Sequence, residues 1–130
     1  MPQLNSITVI QTTANESNAG TDAGFQLQIF RSGGDVLLDF PALDQEEREP
    51  GLTERYRFDV SGFGIDSSDP SFGLAMRMVS TGDAWLPASI EVLGQTVTGE
   101  TVVLGSHDPW TEWFDRGDNP AGPDTHIISN

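Results

Sequence analysis

The chain has 130 residues, enough for one domain around one core. Its formal net charge is −14 and all six basic residues are Arg, a surface that repels nucleic acid and anionic lipid unless cations intervene. There is no Cys, which excludes disulfides and thiolate metal sites. No run of about 18 apolar residues provides a membrane span. The opening Met1-Pro2-Gln3-Leu4 lacks the basic and apolar regions of a signal peptide, so the expected location is the cytoplasm, or outside it by a route this sequence does not encode. The 14 Gly and 8 Pro punctuate short elements, which favours an all-β domain over a helical one.

Ile7 to Thr12 is β-branched and compact, and is the first predicted strand. Thr13 to Asp22 is a polar loop. Ala23 to Arg31 is the second strand, with Phe25, Leu27 and Ile29 on one face and Gln26 and Gln28 on the other. Ser32-Gly33-Gly34-Asp35 is a hairpin turn. Val36 to Phe40 is the third strand. The acidic stretch Pro41 to Gly51 follows, with room for one helical turn over Asp44–Glu49 that Pro50-Gly51 ends.

Thr53 to Val60 alternates strictly. Tyr56, Phe58 and Val60 face inward; Arg55, Arg57 and Asp59 face outward and are expected to balance one another across strands. After a Gly/Ser/Asp loop, Phe72, Leu74, Met76 and Met78 alternate again. Trp85 to Leu93 is the next strand, with Leu86, Ile90 and Val92 as candidate core, and Pro87 marks an edge or a bulge. Gln95 to Leu104 carries Val97, Val102 and Leu104 around a turn at Gly99. Trp110 to Asp115 is a short last element. Residues 119–130 read as a loop-like tail. Turn signals every ~8–12 residues predict a single domain over residues 1–130, an eight-stranded antiparallel β-sandwich.

Four stretches carry a family resemblance. They are the opening strand Ile7–Thr12; Ala19-Gly20-Thr21-Asp22-Ala23; the run from Leu37-Leu38-Asp39 through Glu47-Arg48-Glu49-Pro50-Gly51 to Tyr56–Val60; and Gly82-Asp83-Ala84-Trp85-Leu86 leading to Ile90-Glu91-Val92. Trp110 to Gly117 completes the series. In this order they resemble the PLAT domain, named for polycystin, lipoxygenase and alpha-toxin, over roughly residues 5 to 118. The chain departs from the family where Glu46 stands in place of an aromatic, where Glu49-Pro50 lengthens the turn, and where the His-Asp-Asn before the tryptophan strand is missing.

The resemblance implies a non-catalytic binding module. It also implies calcium as cofactor, held by three loops at one end of the sandwich. Carried over by position, the ligands are Asp22, Asp44 and Asp83, then Glu46 or Glu47, with Gly20 offering a carbonyl; hard cations take such oxygens. The bland alternative is a solvated acidic loop end. Relatives dock through aromatic loop tips, so the partner is a membrane or lipid surface or another protein. Here Phe63, Ile65 and Trp85 are the contact candidates, although a Phe and an Ile in one loop more commonly anchor it to the sandwich.

Catalysis is not expected. Ser106-His107-Asp108 is consecutive, and alternate side chains on a strand point apart, so the three cannot form a triad. Gly62-Phe63-Gly64 opens no helix and is no phosphate cradle. Two further readings stand beside the binding module. One is a structural or assembly subunit whose acidic sandwich packs into an oligomer without metal. The other is an accessory domain whose catalytic chain is encoded separately.

Overall fold

The computed structural model describes residues 3–15, 24–40, 51–78, 85–111, 114 and 125–129. Eight strands form in chain order: β1 (Leu4–Thr13), β2 (Phe25–Phe30), β3 (Val36–Asp39), β4 (Thr53–Asp59), β5 (Gly73–Met78), β6 (Pro87–Thr96), β7 (Thr101–His107) and β8 (Thr125–Ile127). They build two antiparallel four-stranded sheets, ordered β4-β1-β6-β7 and β3-β2-β5-β8. Among the described residues there is no helix.

Alternation explains most of this. In β4 the buried residues are Glu54, Tyr56 and Phe58, with exposed Thr53, Arg55, Arg57 and Asp59 between them. In β2, Phe25, Leu27 and Ile29 are buried. These residues meet Ile7 and Val9 of β1, Leu74, Met76 and Met78 of β5, and Ile90 and Val92 of β6 in one core. Fully burying a side chain of this size contributes about 1.5–3 kcal/mol before the entropy of ordering is subtracted.

Several expected boundaries move. The predicted Trp85–Leu93 and Gln95–Leu104 elements become the longer hairpin β6–β7, turned where Gly99 has φ 92°. Val97 therefore sits in the turn and is 58% exposed. Pro87 lies where the β1–β6 register shifts, which is the predicted bulge and not an edge, because β6 is interior to its sheet. The expected Trp110–Asp115 element contributes a single described bridge, Trp85 to Phe114.

The predicted tail holds a strand. Thr125, His126 and Ile127 pair with Arg77, Met76 and Ala75, and Ile128 is fully buried. Three residues are too short for alternation to register in the sequence.

Candidate binding ends of the sandwich

The strands define two ends. At one, backbone bonds tie the bases of three acidic stretches together. Thr13 N–H donates to the Leu52 carbonyl at 3.0 Å, Gly51 N–H to the Thr13 carbonyl at 3.0 Å, and Ala14 N–H to the Leu86 carbonyl at 2.9 Å. In the other sheet Phe25 pairs with Met78, and Phe40 N–H donates to the Phe25 carbonyl at 3.1 Å. The residues on either side of 16–23, 41–50 and 79–84 thus belong to one end of the molecule.

Trp85 lies beneath that end. Its indole Nε1–H donates to Thr13 Oγ1 at 2.9 Å, and its ring meets Phe25 at 5.2 Å and Phe114 at 5.3 Å between centroids. Trp85 is 0% exposed, so it is a packing residue and not a contact at a loop tip. The buried indole N–H needs an acceptor, and Thr13 supplies it. Gln11 and Glu54, directly opposed on β1 and β4, are also buried here, with Gln11 Nε2 and Glu54 Oε1 3.4 Å apart.

The proposed ligands Gly20, Asp22, Asp44, Glu46, Glu47 and Asp83 all lie outside the described residues. Among the described residues, no three His, Cys, Asp or Glu side chains are grouped to hold a metal. The donor chemistry is nevertheless that of a hard cation: the six named residues offer five carboxylates and a backbone carbonyl, and no thiolate.

The opposite end is built from turns. Asp59 accepts hydrogen bonds from the Ser61 backbone and hydroxyl, and Asp66 does the same with Ser68. Asp69 accepts from Ser32 N–H at 2.9 Å, from Ser32 Oγ at 2.6 Å and from Ser71 N–H at 2.9 Å, stitching the β2–β3 turn to the loop before β5. Bonds to the ionised form hold all three carboxyls below their ordinary value of 3.8, through the serine hydroxyl first and the backbone second; Arg57 adds a smaller coulombic pull on Asp59. These carboxylates are committed to shaping turns.

Phe63 and Ile65 belong to this turn end. Leu4 N–H donates to the Ile65 carbonyl at 2.7 Å, and Ile65 is 0% exposed. Ile65 is therefore an anchor of the loop, and only Phe63, 38% exposed, stays at the surface. Its carbonyl accepts from the Arg31 guanidinium. Phe63 thus lies at the opposite end of the sandwich from the residues that flank the acidic stretches.

His107 is part-buried, with Nε2 2.9 Å from the Ile128 carbonyl oxygen. That contact is structural.

This two-sheet architecture is PLAT-like, as the motifs predict. Solved structures with the same fold include the alpha toxin of Clostridium absonum, with a TM-score of 0.76 over 98% of this chain at 20% identity. The alpha-toxin of an avian strain of Clostridium perfringens gives 0.73 over 98% at 22% identity. Coral 8R-lipoxygenase, in which calcium activation runs through a C2-like domain, gives 0.62 over 95% at 16% identity. The chain spans 32% of each toxin and 16% of the lipoxygenase. No protein-family model and no curated protein matches it.

Proposed function

We propose that this chain is a non-catalytic, calcium-dependent binding module that attaches to a membrane or lipid surface or to a protein partner through its acidic end. The observation that carries this reading is the convergence of the bases of 16–23, 41–50 and 79–84 at one end of a fold shared with a calcium-activated C2-like domain. The side chains that would hold the ion are Asp22, Asp44 and Asp83, then Glu46 or Glu47, with the Gly20 carbonyl. A bound divalent ion would relieve repulsion among carboxylates in a chain of net charge −14 and order the stretches that carry them. It would also let an anionic surface approach.

Thermal unfolding with calcium, with magnesium and with chelator tests it. A ligand of the native state raises stability by RT ln(1 + [L]/Kd), about 2.7 kcal/mol at a hundredfold excess over Kd. A calcium-selective rise in Tm that Asp22→Asn and Asp83→Asn both abolish is the expected result. Identical curves in calcium and chelator would sink the reading.

A further inference from the structure

Among the described residues, nothing pairs with the outer edges of β3 and β4, so this side of the sandwich presents two strand edges. In β4, the pairs Asn5–Val60 and Leu52–Thr13 are hydrogen-bonded, so every second pair between them is bonded as well: Phe58–Ile7, Tyr56–Val9 and Glu54–Gln11. The N–H and C=O groups of Thr53, Arg55, Arg57 and Asp59 therefore point away from β1, along an outer edge. By the same parity the Phe40–Phe25 bond fixes Leu38 and Val36 on β2 and turns the backbone of Leu37 and Asp39 outward. On both edges the residues with open backbone groups are also those whose side chains face solvent.

Those side chains are complementary. Arg55 and Arg57 are exposed, and among the described residues neither forms an ion pair. Asp59, the expected counter-charge of Arg57, is committed to Ser61. On β3, Leu37 is 48% exposed, and the exposed Asp39 accepts a 2.8 Å bond from Gln26 Nε2.

We infer that this side is a docking surface for a second copy of the chain, with β4 of each copy pairing antiparallel with β3 of the other. Topology permits this. β4 runs from the acidic end to the turn end and β3 runs back, so a two-fold axis parallel to the strands sets β4 against an antiparallel β3 twice. Such an axis keeps heights. Phe40 packs edge-on to Tyr56 at 5.0 Å and to Phe58 at 4.9 Å, which puts Phe40 level with Arg57 and Asp39 one residue nearer the turn end, between the outward-facing Arg57 and Asp59. Of these two neighbours, charge selects Arg57. Arg57 of one copy then faces Asp39 of the other, Arg55 lies diagonal to that Asp39, and the Arg57 stem covers Leu37.

The alternatives offer less charge complementarity. Pairing β4 with β4 about residue 56 sets Arg55 against Arg57 twice, and a shift that brings Arg57 to Asp59 meets a carboxylate already bonded to Ser61; pairing β3 with β3 sets Asp39 against Asp39 or against the apolar Leu37. Repulsion between two chains of charge −14 is screened beyond about 8 Å at physiological ionic strength, while pairs in contact are screened less. The dimer goes beyond the calcium reading and does not need it, but it would point both acidic ends the same way, so that two sites meet one surface.

Sedimentation velocity in chelator at physiological salt tests the dimer without involving calcium. The expected result is a concentration-dependent dimer for the unaltered chain. Arg57→Glu alone and Asp39→Arg alone each weaken it at least about tenfold, and the double swap restores it. A monomer at all concentrations up to about 0.5 mM, a dimer indifferent to either single change, or a double swap that stays monomeric would each overturn the inference.

Discussion

The two long sides of the sandwich are finished in opposite ways. On the β7–β8 side the sheets close on each other. A Cβ at Gly105 would collide with the Ile128 carbonyl oxygen and lie 3.0 Å from its carbon, so only glycine lets the last residues cross β7. Ile128 N–H then donates to the Leu74 carbonyl at 2.8 Å, and its side chain enters the core. On the β3–β4 side nothing comparable joins the edges among the described residues; Phe40 bridges the sheets by ring contacts with Phe25, Tyr56 and Phe58. Closure consumes backbone groups for stability, while an open edge keeps them for a partner and needs charges to choose which.

The largest expected effect breaks the closed side. Gly105→Ala forces backbone apart and should cost about 3 kcal/mol, seen as a lower urea midpoint. Ile128→Ala should cost about as much by leaving a cavity. If both were neutral, the closed side would carry no more stability than the open one. Next, Trp85→Phe keeps an aromatic ring beneath the acidic end but strands the Thr13 hydroxyl. A loss of about 1–2 kcal/mol is expected from the same measurement.

On the open side, Arg55→Glu with Arg57→Glu should change the stability of the monomer by no more than about 0.5 kcal/mol, because both side chains are exposed. A large loss would mean that these arginines hold the fold rather than await a partner. The smallest effect comes from the turn end. Asp59, Asp66 and Asp69 have lowered folded-state pKa values, so their contribution is complete above the ordinary 3.8 and is lost as pH falls through the lower folded values. Asp69→Asn should therefore lower Tm slightly at neutral pH and flatten its fall in acid.

The sequence made the strands with one face in the core legible because alternation marks such a face. Phe25-Gln26-Leu27-Gln28-Ile29 and Tyr56-Arg57-Phe58 read correctly for that reason. It placed a turn at Gly99 but not its extent, which takes in Val97 and leaves it exposed. It missed β8, where His126 is buried and the buried Ile128 follows, because three residues carry no period. Trp85 and Ile65 looked like surface contacts because a loop aromatic or isoleucine carries no mark of which way it points. The opposed ends of Phe63 and the bases of the acidic stretches follow from strand direction, and the open and closed sides follow from which strands become edges. Both are properties of pairing between distant segments.

The most direct test of the proposed function is a calcium titration read at individual backbone amides by NMR. The account predicts saturable, calcium-selective shifts at Asn15, Gly24, Gly51 and Trp85, which border the acidic stretches, with Phe63, Asp66 and Val97 unmoved. Shifts confined to the Asp66–Asp69 turns, or none at all, would contradict it.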